Sequence, residues 1–252
     1  MVFKMSGQFY SQNGEDVVLS GIFKGQQRGT CLEIGAWDGI KDSITLHFEE
    51  KGWSCILIEA NPELAEKAKA NRRARVFSCA AGRTRGMTEF VIAKGAEYLS
   101  TMNPTHQHVS RILNDGGTIE KVKVPVMRVD DILEEAEVSR LDFATIDVEG
   151  AELEVLRGFD LQRWQPKVLV VEDNDREVRR YLRTKGYFCF LHAGLNDWYA
   201  RKGDKSLLTF RRVFAERRRQ VRQRLYKWTV GLLPLALQRK LVKWKRKLLK
   251  DL

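Results

Sequence analysis

Four carboxylates each close an apolar run. Cys31-Leu32-Glu33, Ile56-Leu57-Ile58-Glu59, Thr145-Ile146-Asp147 and Val170-Val171-Glu172 all read as strands that end in an acid. Where such strands run parallel, their carboxyl ends gather along one edge of a sheet. Acids collected there can hold hydroxyls or a cationic group, ligate a hard metal ion, or remove a proton.

The first acid opens a glycine turn, Glu33-Ile34-Gly35-Ala36-Trp37-Asp38-Gly39. A dinucleotide site asks for three glycines and a pyrophosphate to cradle. Only Gly35 and Gly39 are present, and Glu33 and Asp38 would repel a pyrophosphate, which weighs against a nicotinamide-linked reductase. The same acids suit a ligand with an ammonium and a sulfonium, S-adenosylmethionine. An ordinary strand-to-helix turn without a ligand has the same look. A helix expected over 40–51 would aim its N-terminus at the site, with Ser43 in its exposed first turn, in reach of a cofactor carboxylate. Glu59 lies about 20 residues past the turn, where an acid grips a ribose diol. Ala60 and Asn61 follow it, and Pro62 opens the next helix. Ala80 and Ala81, after a third strand over 75–79, leave room for a flat adenine.

The elements that must position these residues alternate along the chain. Further strands are expected over 87–93, 121–129, 141–147, 167–171 and 187–191, with 196–200 and Leu207-Leu208 finishing the sheet. Helices are expected over 132–136, 151–157 and 175–185, the last two stopped by Gly158 and Gly186. The pattern is an α/β sandwich with a parallel-rich sheet. Residues 95–120 read as a long irregular segment, punctuated by Gly95, Pro104, Gly116 and Gly117. Such a loop in a compact domain is usually functional. It is expected to cap an acceptor pocket and to offer Ser100, Thr101, His106 and Arg111.

Taken in order, Ser11-Gln12-Asn13-Gly14-Glu15-Asp16, Glu33-Ile34-Gly35-Ala36, Ser43, Gly52-Trp53, Ile58-Glu59-Ala60-Asn61-Pro62, Asp147-Val148-Glu149-Gly150-Ala151-Glu152 and Val155-Leu156-Arg157-Gly158 resemble the FkbM family of S-adenosylmethionine-dependent methyltransferases. The resemblance covers roughly residues 8 to 201. Ala60 stands where the family often has proline, and Trp37 where it often has asparagine. The resemblance implies a Rossmann-like class I methyltransferase fold, a mostly parallel seven-stranded sheet flanked by helices with an antiparallel last strand. It implies S-adenosylmethionine as cofactor and a hydroxyl acceptor, often on a sugar or natural product. It also implies that Gln12 and Glu15 help close the cofactor site; a helix cap is the other reading of Glu15.

Methyl transfer to oxygen needs an aligned acceptor, a dry site and a group that takes one proton. Asp147 and Glu149 are the first candidates for that group, with His192 and His106 behind them. Asp147 also borders the cofactor, and Glu172 faces the acceptor. Asp147 with Glu172-Asp173 could instead ligate a divalent cation. The metal reading is not favoured, and acids that only cap helices account equally well for Glu149 and Glu152. His106 and His108 lack a third ligand at suitable spacing.

Net charge divides the chain. Residues 211–252 hold 15 Lys and Arg against 2 Asp and Glu, so they carry +13 of a total of +11, and residues 1–210 carry −2. The expected organisation is a methyltransferase domain over 1–210, with a lead-in over 1–30, and a basic amphipathic tail over 211–252. In the tail Phe214, Val221, Leu225 and Trp228, then Leu237, Leu241, Trp244, Leu248 and Leu252, recur at helical spacing among cations. That pattern suits an anionic membrane surface better than nucleic acid, for which no groove-reading motif is present. A helix packed on the protein's own body and a dimer contact are the other readings. The 4 cysteines have no metal spacing and read as buried free thiols of a reducing cytoplasm. No secretory signal and no membrane-spanning run is visible, so a cytoplasmic protein, peripheral on the inner membrane face, is expected. A catalytically silent scaffold brought to the membrane by the tail is the alternative.

Overall fold

In a computed structural model, residues 8–172, 176–204 and 207 are described. The chain divides into units over 1–204 and 205–252, and the expected tail lies outside the described residues. β1 (Thr30–Ile34), β2 (Ser54–Glu59), β7 (Phe143–Ile146) and β8 (Val168–Glu172) are near-continuous apolar runs. Such runs are buried on both faces and therefore sit inside a parallel sheet. With β3 (Arg75–Ser78), β9 (Tyr187–Ala193) and β10 (Asn196–Arg201) they form a seven-stranded sheet in the order β3-β2-β1-β7-β8-β10-β9. β10 runs antiparallel to both neighbours, and the other pairings are parallel. This is the Rossmann-like methyltransferase arrangement. β1 has β2 on one side and β7 on the other, so the strand order reverses there. That switch point is where open α/β sheets bind ligands.

One face of the sheet is covered by an aromatic cluster. Phe23, just past α1 (Glu15–Ile22), and Phe48, on α2 (Leu46–Glu50), pack with Trp53 against Phe143. The other face presents Leu32, Ile34, Ala144, Ile146, Leu169 and Val171 to a large core. That core takes Ile132 from α5 (Val129–Glu135), Val155 and Leu156 from α6 (Glu152–Arg157), and Val178 and Leu182 from α7 (Arg176–Thr184). Gly158 does follow α6, but its φ of −92° is not left-handed. A Cβ there would stand 2.0 Å from the Gly82 carbonyl oxygen, so close backbone approach demands the glycine.

The expected added strands do not join this sheet. β5 (Gly86–Lys94) and β6 (Thr118–Met127) pair antiparallel, and β4 (Ala80–Ala81) runs beside β6 in a separate three-stranded sheet. The segment read as irregular over 95–120 is the long connection of this hairpin. It holds a 3-10 turn (Glu97–Leu99) and α4 (His106–Asn114), docked through buried Leu99 and Ile112 on Val91 and Ala93. The seven-stranded sheet ends at Arg201, so Leu207 is not part of it, and Leu208 lies outside the described residues.

The helix expected from residue 40 begins only at Leu46, because residues 35–45 are held as a loop by a buried charge network. Glu33 is 5% exposed, and its Oε1 accepts from the Ile44 N–H at 2.7 Å. Its Oε2 accepts from the Ser43 hydroxyl at 2.8 Å and from the Thr45 hydroxyl. Arg72, at the end of α3 (Pro62–Asn71), reaches in from the other side. Its guanidinium donates to the Gly39 carbonyl at 2.7 Å, to the Ser43 and Thr45 hydroxyls at 3.1 Å and to Glu49 at 3.1 Å. Two acids and one arginine, all buried, thus fix one loop.

Removing one partner of a buried ion network leaves uncompensated charge in the core. Arg72→Met should lower the unfolding free energy by about 3–5 kcal/mol. Urea unfolding followed by tryptophan fluorescence measures this; a loss under about 1 kcal/mol would mean that the network does not hold the loop.

Candidate functional site

A cavity of about 640 Å³ opens along the carboxyl ends of β1, β2, β7 and β8. Its size falls in the range of about 300–1,000 Å³ that small-molecule sites occupy. Its walls bring together Gln12, Glu33, Gly35, Ala36, Trp37, Glu59, Ala60, Ala80 and Ala81 from the expected cofactor residues. From the expected acceptor and catalytic residues they bring Ser100, Asp147, Glu149 and Glu172. These sites, scattered over 160 residues of sequence, face one space because the sheet collects its strand tips.

The glycine turn works differently from a phosphate cradle. Gly35 has a φ of +86°, and a Cβ there would lie 1.8 Å from the Asp147 carbonyl oxygen. Its glycine therefore serves the approach of β1 to β7, not the approach of a ligand. The N–H groups of Gly35 and Ala36 donate to Ile58, and that of Gly39 donates to Ala36. Asp38 receives the N–H groups of Ile40 and Lys41. These donors are used within the protein, and no helix starts at the turn. Ser43, expected exposed in a first helical turn, is 2% exposed and bonded to Glu33. Asp38, Gly39 and Ser43 are not in the cavity wall; they shape the loop behind it.

Glu59 is buried at the tip of β2, and its oxygens accept the backbone N–H groups of Trp37 and Asn61 at 2.8 Å, with the Ala60 N–H also acting on the carboxylate. Each oxygen keeps a lone pair for a further donor. Burial pushes its carboxyl up to about 7, against the pull of these N–H groups. The Asn61 side chain turns away and caps α3 through the Glu63 N–H at 3.0 Å. The lead-in docks beside this site. Asp16 receives the Tyr10 and Ser11 N–H groups, and Ser11 bridges to Asp42 in the loop. Glu15 receives the Asn13 N–H and the Asn196 side-chain amide, each at 3.0 Å. It is thus a tether between the lead-in and β10, outside the cavity wall, and it holds Asn196, which lines that wall.

Three further acids stand in the same wall. One carboxylate oxygen each from Asp147, Glu149 and Glu172 lies within 4.8 Å of the other two. Enclosure by the cavity walls, then the Glu172 carboxylate, push Asp147 well above the usual carboxyl range. Burial and the Asp147 charge push Glu149 up to about 7, and burial and the Glu149 charge raise Glu172. Glu149 sits at φ +54°, a left-handed conformation that costs about 1–3 kcal/mol and gathers at functional sites. The Thr101 hydroxyl holds it by donating to the Glu149 carbonyl at 2.9 Å, and Asn103 donates to the Gly150 carbonyl. Thr101 is wholly buried, so it supports the acid turn and does not line the pocket. Trp37 and Asp42, also left-handed, line the same cavity.

Both histidines proposed as bases are elsewhere. His192 is bound to Asp197 at 2.6 Å with its side chain 65% exposed, outside the cavity wall. His106 is exposed at the start of α4, and His108 bonds the Leu99 carbonyl. Asp173 lies outside the described residues. The sequence reading missed Lys41, Tyr98, Thr145 and Asn196 in the wall, and gave Arg111 no role beyond the capping segment. Thr145 had a signal, a lone hydroxyl in an apolar strand.

Residues 33–189 match the methyltransferase FkbM domain, within the 8–201 span of the sequence resemblance. No curated protein matches the chain. Among solved structures, the METTL16 methyltransferase domain is similar at 14% identity with a TM-score of 0.42, over 73% of this chain and 64% of that one. The chain therefore spans less than two thirds of that relative. The precorrin-6y C5,15-methyltransferase of Geobacter metallireducens GS-15 is similar at 13% identity with a TM-score of 0.39, over 75% of this chain and 87% of that one. The family match runs through the glycine turn, Glu59 and the whole acid cluster, and the chain belongs to the FkbM family of methyltransferases.

Proposed function

We propose that the chain moves the methyl group of S-adenosylmethionine to a hydroxyl oxygen, on a sugar of a glycan or glycolipid. The observation that carries this reading is one cavity whose wall holds the Glu59 carboxylate together with three converging acids. The residues present fit the cofactor. Glu59 keeps lone pairs for two ribose hydroxyls, and Ala80 and Ala81 leave flat space nearby. The used-up N–H groups of the turn leave nothing to cradle a pyrophosphate. Bound S-adenosylmethionine supplies an electrophilic methyl group on a sulfonium.

The protein's part is then positional and acid–base. Trp37 and Asn61 hold the Glu59 carboxylate by their backbone N–H groups. The acid cluster takes the acceptor hydroxyl's proton as its oxygen becomes a nucleophile. Tyr98 and Arg111, from the hairpin connection, stand in the wall near Glu149, and Met102 packs on the cluster of Ala80 and Phe90. Sugar hydroxyls suit such a site, because carboxylates accept several of them at once.

Titration calorimetry with S-adenosylhomocysteine tests the cofactor half. The wild type should bind, and Glu59→Ala should weaken binding at least about tenfold, the worth of a hydrogen bond to a charged group. A folded wild type that binds nothing would favour the silent scaffold. The affinity should also depend on pH. The ionised Glu59 accepts the diol, so binding is full above its pKa and weakens as pH falls through about 7. Glu59→Gln should flatten that profile; an unchanged profile would remove Glu59 from the ribose.

The basic tail extends the proposal to a peripheral membrane site, supported by its +13 charge and apolar stripes. Among the described residues no helix is long and apolar enough to cross a membrane. The full chain should float with vesicles containing phosphatidylglycerol and be released by salt, and a chain ending at residue 210 should not float. Equal flotation of both would end this part of the proposal.

A further inference from the structure

We propose that Asp147, Glu149 and Glu172 together hold a hard divalent cation of the magnesium or manganese kind at the acceptor end of the cavity. The three donors come from different places, the tip of β7, the turn after it and the tip of β8, and still converge within 4.8 Å. Among the described residues no salt bridge closes on any of the three, and the Arg111 guanidinium, in the same wall, offsets only part of the charge of Glu149 and Glu172. Three carboxylates so placed repel one another unless a proton or a cation lies between them.

A second, independent feature points to a bound group. The Thr145 hydroxyl is buried, 3% exposed as a residue, and has no hydrogen-bond partner. Buried polar atoms are nearly always paired, so an orphan marks a missing partner. Thr145 stands two residues before Asp147 on the same side of β7, one residue-pair deeper in the same cavity. The hydroxyl has almost no surface open to a water, so its partner would come only with a rearrangement of the wall as the site fills. The donor chemistry selects the ion. With three carboxylates and no histidine or cysteine in the group, the site suits a hard cation and not zinc or copper.

The cation's role, unlike its binding, rests on the methyl-transfer reading above. An oxygen of the acceptor would be one of its ligands, which fixes the hydroxyl and makes its proton easier to remove. The Thr101 and Asn103 hydrogen bonds to the 149–150 turn are then what keeps the middle ligand in place.

Manganese binding to the full chain, followed by the loss of the free ion's electron paramagnetic resonance signal, tests this directly. The wild type should take up one Mn²⁺, displaced by Mg²⁺. Asp147→Asn and Glu172→Ala should each weaken uptake at least tenfold, with Glu172→Ala still binding S-adenosylhomocysteine as proof of its fold. Thr145→Val should weaken uptake less. No uptake by the wild type, or equal uptake by these variants, would overturn the proposal. S-adenosylhomocysteine binding without Mn²⁺ would remove the cation and keep the methyl-transfer reading; Mn²⁺ uptake without cofactor binding would do the reverse.

Discussion

A carboxylate buried at the end of the first strand sets the terms for everything around it. Glu33 cannot keep its charge in the core without partners, and residues 43–45 supply them through two hydroxyls and a backbone N–H. Arg72 closes the arrangement from α3 and ties in Glu49 and the Gly39 carbonyl. The loop between β1 and α2 is therefore rigid by electrostatic necessity, not by packing alone. Its shape decides where Trp37 lies, and the Trp37 N–H in turn holds Glu59.

The acids at the strand tips then differ by how fully the protein satisfies them. Glu33 is saturated and belongs to the scaffold. Glu59 has one backbone donor on each oxygen and room for one more, which is the state of a binding group. Asp147, Glu149 and Glu172 crowd together, and burial first and one another's charge second raise their proton affinities. The supporting shell is visible too. Thr101 and Asn103 hold the strained Glu149 turn, and Glu15 places Asn196. The hairpin connection supplies Tyr98, Ser100, Met102 and Arg111 to the cavity wall. Ordered in this way, the acids of one sheet edge grade from fully partnered to crowded.

Much of this was legible in the sequence. Apolar runs that end in acids gave the strands and their tips, because burial on both faces leaves no alternation to misread. The wall positions of Glu59, Asp147 and Glu172 follow from that, and those of Ala80, Ala81 and Glu149 from their places just past a strand. What stayed hidden depends on contacts between distant segments. Nothing local tells that Ser43 turns inward, since its partners Glu33 and Arg72 are brought to it by the fold. His192 looked like a base because its pairing with Asp197 is made across a hairpin. The segment 95–120 looked irregular because its glycines and proline mask a short helix, docked through Leu99 and Ile112. Gly35 and Gly158 were read as turn and stop signals, yet backbone crowding from Asp147 and Gly82 is what requires them.

The central claim is that one cavity holds the methyl donor by Glu59 and points its sulfur at the acid cluster. A crystal structure of the complex with S-adenosylhomocysteine tests it most directly. The account predicts the ribose diol on Glu59, the adenine beside Ala80 and Ala81, and the sulfur facing Asp147, Glu149 and Glu172. A ligand bound with its ribose away from Glu59, or with its sulfur turned from the three acids, would contradict it.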